Sequence, residues 1–470
     1  MPHSDRAATA SKDEQSLQPV LGLFSATALV IGAVIGSGIF LKPSQVAAAT
    51  QGYVGLILAL WIVLGLVNLC GSLVLAELSG MFPRAGGTYL FLREAYGPLW
   101  AFSWAWAEFC IIRSGAIATL AAAMAIAVGE FSAALGHDLG PTAERAFAIG
   151  SIAVLATVNI VGTVWGGIVQ NVTTLIKVGF VALLALLPFV ALESGGVHWE
   201  RIWPSAMSAS LLVGIGSAVS GIMWAYDGWA NLPIVAEEVR NPDRNVPRAL
   251  VVGVVLLIVL YVGANLAYHL TLPSSEIATA KATAVVVAEK LIPNFGGKLT
   301  LAMLAVSVFG ALNANILTGP RVLFAVARDH AFLGPLRRIE PRFGTPAVAI
   351  AALSTWAALL VIAGDFYRAY NPDLDKRLYD VLSDYCIFGA ALFYLAAVVA
   401  VFVLRRARPN VPRPYRAWGY PVLPAVFVVA YIFVLASMFI AAPFECSVGL
   451  GLIATGMVVY GVARGLETRR

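Results

Sequence analysis

Twelve stretches of the chain are apolar for long enough to cross a lipid bilayer, and that repeated length leaves few folds open. They fall at about 21–49, 53–81, 98–128, 145–162, 166–192, 209–235, 249–272, 298–327, 346–364, 379–404, 421–441 and 444–463. A helix rises about 1.5 Å per residue, so about 20 residues span the hydrocarbon. Of the 470 residues, 60% are hydrophobic and only 12% are charged, against about 25% charged in soluble domains. The chain reads as an all-α integral membrane protein with twelve transmembrane helices. An even count puts both termini on one side.

Charge chooses the side. With the N-terminus inside, 19 of the 31 Lys and Arg fall in inner connections and tails, and 9 (Lys42 among them) in outer ones. Arg113, Lys177 and Arg321 lie within apolar stretches. This bias predicts cytoplasmic termini in a cell inner (plasma) membrane. It also accounts for the net charge of +5 without nucleic acid as a partner. Cys70, Cys110, Cys386 and Cys446 make no disulfide or zinc spacing, and the five histidines are scattered. Neither a metal nor a cofactor is expected. Residues 1–18 read as a disordered cytoplasmic tail without a signal-peptide pattern. Pro83–Pro98 alternates aromatic and charged residues and could lie as an amphipathic helix on the inner face. Pro273–Asn294 is too short to span and reads as an external helical cap, and Arg405–Pro424 as a cytoplasmic linker.

Two spans carry breaks. The first contains Gly32, Gly36, Ser37 and Gly38 where a continuous helix would favour Ala or Leu. A break there frees N–H donors at Ser37 and Gly38 and C=O acceptors at Val34 and Ile35, tolerated only where protein or a polar cavity meets them. Close helix packing through Gly32 and Gly36 is the competing explanation. The sixth span has Asp227-Gly228 mid-membrane, a turn signal and a costly charge together. The sixth is the first of a second set of five, so the breaks correspond. That is the pattern of a five-plus-five inverted repeat, 19–192 and 209–404, followed by two further helices at 421–463, with a substrate site between the breaks.

At these breaks the chain also resembles a known family. GSGIF in the first helix, AELSGMFPRAGGTYLFLREAYG after the second and WAEFCIIRSG in the third are similar to amino-acid permeases of the amino acid–polyamine–organocation (APC) superfamily. WAYDGW, EEVRNPDRNVPRAL and the later RPYR and GYPVLP resemble the L-type amino acid transporter family of exchangers. The resemblance implies a LeuT-type fold. It implies that the Ser37 and Gly38 amides take the substrate carboxylate, and that the carbonyls of Val34, Trp224 and Asp227 take its amino group. Ala225 is counted with this site, and Trp224 would be an aromatic lid. Lys177 would replace the cation that tethers the first helix to the eighth in sodium-coupled relatives, making transport sodium-independent. Animal members carry a cysteine after the third helix for a disulfide-linked heavy chain. Gly129–Thr142 has none, so no such partner is expected.

Other buried polar groups are open to two readings. Glu108 and Arg113 could pair with each other or with other helices, and Gly115 and Ala116 could leave room for a substrate side chain. Glu77 and Arg321 are expected to pair with the inner loops. Asn313 and Asn315 could be partners of Lys177, and Asp384 starts the tenth span. Asp227 either faces the pocket and admits cationic amino acids, or turns away to pair within the protein. No HExxH, GxSxG or His–Asp cluster suggests an enzyme. The expected function is sodium-independent exchange of neutral amino acids by alternating access. A broader neutral and cationic range, proton symport, or a permease-fold amino-acid sensor are the alternatives.

Overall fold

The computed structural model describes residues 17–191, 201–370 and 378–467. Residues 1–16 of the expected tail and the side chain of Asp384 lie outside the described residues. The described chain is nearly all helix, with isolated bridges pairing Leu21 with Val239 and Glu340 with Thr345. Among the described residues, twelve helices are long and apolar enough to span a membrane. They are Leu23–Ala49, Val54–Met81, Pro98–Ala134, Pro141–Val161, Thr163–Ala191, Ala209–Glu238, Pro242–Thr271, Gly296–Asp329, Ala347–Gly364, Tyr385–Ala407, Val422–Ala441 and Pro443–Gly465. The chain is a multi-pass membrane protein.

Which face of each helix turns inward follows from the lack of water in lipid. In the fifth span Thr163, Gly166, Gly167, Gln170, Thr173, Thr174 and Lys177 are buried at helical spacing. Between them Val164, Trp165, Ile168, Val172, Leu175 and Ile176 are exposed. A soluble helix would turn the polar stripe outward. Here lipid cannot satisfy hydrogen bonds, so the stripe packs against the first and eighth spans.

The first span is two helices, Leu23–Val34 and Gly38–Ala49, and the sixth is Ala209–Tyr226 followed by a 3-10 helix, Trp229–Glu238. The breaks lie against each other. A methyl group on Gly38 would stand 2.5 Å from the Ala225 Cα, and one on Gly228 would stand 2.9 Å from the carbonyl carbon of Ala33. Gly228 also has φ +116°, which other residues rarely adopt. Pairing 33 with 228 and 38 with 225 means the two broken spans run antiparallel.

Three connections bear on the site. Thr88–Tyr96 is a helix, but Tyr89, Phe91 and Leu92 are wholly buried. It is wedged into the protein rather than laid on a surface, because its aromatic residues fill space beside the tenth and third spans. Ser274–Thr279 and Thr283–Leu291 cap the half-helix Gly38–Ala49. Lys42, expected in an outer connection, is instead fully buried within that half-helix. Its Nζ donates to Ser383 Oγ at 3.0 Å and stands 4.8 Å from the Tyr379 ring centre.

On the arginine-rich face, buried Glu77 takes Arg405 Nε at 2.9 Å, Arg405 Nη2 at 2.6 Å and the Ala417 amide at 2.7 Å. Arg413 Nε lies 3.4 Å away. This ties the second span to the tenth and to the linker, in line with the expected loop pairing. Removing one partner of such a cluster leaves buried charge uncompensated, at about 3 kcal/mol. Glu77→Ala should therefore lower the unfolding temperature in detergent, and Glu77→Gln should lower it less. An unchanged temperature in Glu77→Ala would show that the cluster does not hold the linker.

Candidate substrate site

The site begins with a backbone problem. Ile35 leaves helical geometry (ψ 87°), and Gly36 N turns back to Val34 O at 2.8 Å. The half-helix that restarts at Gly38 then presents first-turn amides with no intrahelical acceptor. These amides border a cavity of about 20 Å³ lined by Ala33, Val34, Gly36, Ser37, Gly38, Ala116, Leu120, Trp224, Asp227, Gly228 and Asn315. That is room for about one water, so the site is closed around almost no space.

The carbonyls at the break are satisfied from three other spans. Lys177 Nζ donates to Gly32 O at 2.8 Å, Ile35 O at 2.7 Å and Ser307 O at 3.0 Å. Ser307 Oγ donates to Ile35 O and Gly36 O. Tyr261 Oη donates to Val34 O at 3.0 Å. One ammonium thus joins the first span to the eighth. Gly310 makes room for it, since a methyl group there would stand 2.9 Å from Nζ.

Ser37, Gly38, Val34, Trp224 and Asp227 border the one cavity, while Ala225 packs against Gly38 just behind its wall. Val34 O already accepts twice, from Gly36 N and Tyr261. Trp224 O accepts one bond, from Asp227 N at 3.2 Å. Trp224 Nε1 donates to Tyr379 Oη at 2.8 Å, and Tyr379 Oη is 2.8 Å from Ser37 Oγ. Asp227 Oδ1 accepts from Tyr394 Oη at 2.9 Å. Of the two small residues on the third span, Ala116 lines the cavity. Gly115 does not: it faces the tenth span, where a methyl group would stand 2.6 Å from Cys386 Sγ.

The other polar groups resolve into pairs. Residues five apart fall on different faces of an α-helix, but the third span makes a π-turn over Glu108–Ile112 that brings Arg113 over Glu108. Nε and Nη2 reach the two carboxylate oxygens at 2.9 and 3.1 Å. Arg113 Nη1 continues to Asn231 Oδ1 at 2.8 Å and Asn315 Oδ1 at 2.7 Å. Neither asparagine of the eighth span partners Lys177. Asn313 instead donates to Gly166 O and Gln170 and accepts from Asn159, because it faces the fifth span lower down. Arg321 pairs with Glu238, and Arg328 with Glu237. Sequence reasoning missed Tyr379, Tyr261 and Tyr394 altogether. Each is a tyrosine in an apolar span, where the hydroxyl needs a partner, and that was the available signal.

Broken antiparallel helices enclosing a small polar cavity at mid-membrane define a transporter of the discontinuous-helix class. The family model described as "Amino acid permease" matches residues 21–463, and the chain belongs to that family, within the APC superfamily. The serine/threonine exchanger SteT of Bacillus subtilis (strain 168) is 32% identical over 453 residues, covering 95% of this chain and 97% of that protein. The human b(0,+)-type amino acid transporter 1 is 30% identical over 450 residues, 95% of this chain and 88% of its own. The mouse Asc-type amino acid transporter 1 is 29% identical over 455 residues, 96% and 82%. These relatives are transporters, and the chain is a transporter rather than an enzyme.

Gly38 is the tightest point of the site. Gly38→Ala should force the breaks apart by the 2.5 Å contact with Ala225 and slow amino-acid uptake about 10²-fold, the usual result of a misplacement near 1 Å. Counterflow on purified protein checks this. Wild-type rates in the variant would remove Gly38 from the site.

Proposed function

We propose that the chain is a sodium-independent exchanger of neutral L-amino acids working by alternating access. The observation that carries this reading is the cavity between the two breaks, bounded by unpaired amides on one side and carbonyl ends on the other. The Ser37 and Gly38 amides take the substrate carboxylate. The carbonyls of Trp224 and Asp227 take the ammonium, joined by Val34 O once Tyr261 lets go. A serine/threonine exchanger among the relatives supports both exchange and small neutral substrates. The inverted repeats 19–192 and 209–404 move against each other about this site, with 421–463 outside the movement. An even number of spans puts both termini on one side, and the positive-inside rule makes the arginine-rich side the cytoplasmic one. The connection after the third span has no cysteine, so the exchanger works without a disulfide-linked heavy chain.

The closed state follows from two seals. On the face away from the arginines, Trp224, Tyr379 and Ser37 form one hydrogen-bonded chain over the cavity. On the arginine-rich face, Arg321 and Arg328 of the eighth span hold Glu238 and Glu237 at the end of the sixth. Opening to either side breaks one seal and keeps the other.

Lys177 supplies from within the protein the charge that a coupling cation would otherwise bring to these carbonyls. Exchange in proteoliposomes should persist when choline replaces sodium. Lys177→Ala should insert and fold yet exchange about tenfold or more slowly, since its partners lie on spans that move relative to each other. Sodium dependence in the wild type, or a variant with wild-type kinetics, would overturn this role. Specific binding without counterflow would favour a sensor.

A second reading, transport of cationic as well as neutral amino acids, rests on Asp227 bordering the cavity. The bond from Tyr394 to its carboxylate favours the neutral range, because the side chain is already engaged. Excess arginine or lysine should leave uptake of labelled alanine within twofold of control. Strong inhibition that disappears in Asp227→Gly would reverse this choice.

A further inference from the structure

The wall of the cavity formed by the third and eighth spans is not used by the substrate's backbone groups. If the carboxylate sits on the first span and the ammonium on the sixth, the side chain is left to face Ala116, Leu120 and Asn315. Ala116 and Leu120 set the size of that wall. Asn315 is its polar element and is held at both ends. Its Nδ2 donates to Ala311 O at 2.9 Å, and its Oδ1 accepts from Arg113 Nη1 at 2.7 Å. Arg113 is held in turn by both oxygens of Glu108 across the π-turn. A carboxamide has two N–H donors and two oxygen lone pairs. One of each therefore remains on a side chain that cannot rotate to hide them.

We propose that Asn315 reads a hydroxyl on the substrate side chain, and that Arg113 is the positioning residue that fixes the carboxamide for this. The assignment rests on the transport reading above. A hydroxyl both donates and accepts, so it matches the two free valences. A methyl group of the same size leaves them facing an apolar surface at a cost. Glu108 neutralises Arg113 beside it, so the wall favours a neutral polar side chain. The small cavity favours the shortest ones, serine and threonine.

Threonine and valine have nearly the same shape and differ by hydroxyl against methyl, so their ratio isolates the contact. In proteoliposome counterflow, wild-type kcat/KM for threonine should exceed that for valine about tenfold, less than where a buried site loses its only partner. Serine should exceed 2-aminobutyrate similarly. Asn315→Leu keeps the volume and removes both valences, and should bring the threonine-to-valine ratio to within about threefold of one whatever the absolute rate. Arg113→Lys keeps a charge for Glu108 but loses the fork to the asparagines, and its ratio should fall as well. A wild-type ratio near or below one overturns the assignment and needs no variant to fold. An unchanged ratio in an active Asn315→Leu overturns it too. Absence of counterflow for alanine, threonine and valine alike would remove the transport reading and this assignment with it.

Discussion

Everything in this structure depends on how the open backbone of the first span is satisfied. A helix broken in mid-membrane strands carbonyls and amides where no water can reach them. Side chains from three other spans meet the carbonyls. Gln170 and Thr174 donate to Ala28 O, Lys177 to Gly32 O and Ile35 O, Ser307 to Ile35 O and Gly36 O, Tyr261 to Val34 O, and Tyr268 to Ile39 O. The amides at Ser37 and Gly38 are the side of the break that faces the cavity. The protein completes one half of the backbone's hydrogen bonding and leaves the amides of the other half facing a cavity with room for about one water.

That asymmetry explains where the charges lie. Lys177 sits on the carbonyl side, where a cation is favoured. The carboxylates of Glu108, Glu77, Glu237 and Glu238 are each tied to arginine. Arg113 reaches further, linking the third span to the sixth and the eighth through two asparagines. These ties sit at mid-membrane or at the arginine-rich face. Two glutamates at the end of the sixth span are held by two arginines of the eighth, beyond the break in the sixth.

Much of the fold was legible in the chain. The twelve spans follow from length and apolarity alone, and the two breaks from Gly36-Ser37-Gly38 and Asp227-Gly228 taken together, since close packing could explain the first stretch by itself but not a matching break in the second set of five. Lys177 stood out as a charge within an apolar stretch, which lipid leaves to be met by other parts of the protein. Other residues did not declare their side. Lys42 read as a loop charge because it stands eight residues from the turn at Thr50, yet its half-helix is capped by two further helices and buried. Gly115 and Ala116 are neighbours of similar size, and only helix phase, shifted by the preceding π-turn, sends one to Cys386 and the other to the cavity. Tyr379, Tyr261 and Tyr394 looked like apolar bulk, since a tyrosine's one polar atom leaves no trace in hydropathy.

The sequence by itself determined that the chain lives in a membrane, how often it crosses, where two of its helices break and that a lone lysine must be answered. Those follow from local chemistry against a solvent without water, which each segment meets alone. Tertiary structure decided which groups answer. It set the two breaks against each other at Gly38 and Gly228, gave Lys177 to the carbonyls of the first and eighth spans, and placed Asn315 on the cavity rather than beside that lysine. Partners separated by a hundred or more residues are chosen by helix phase and by the order in which spans pack, and neither is written in any one stretch of the chain.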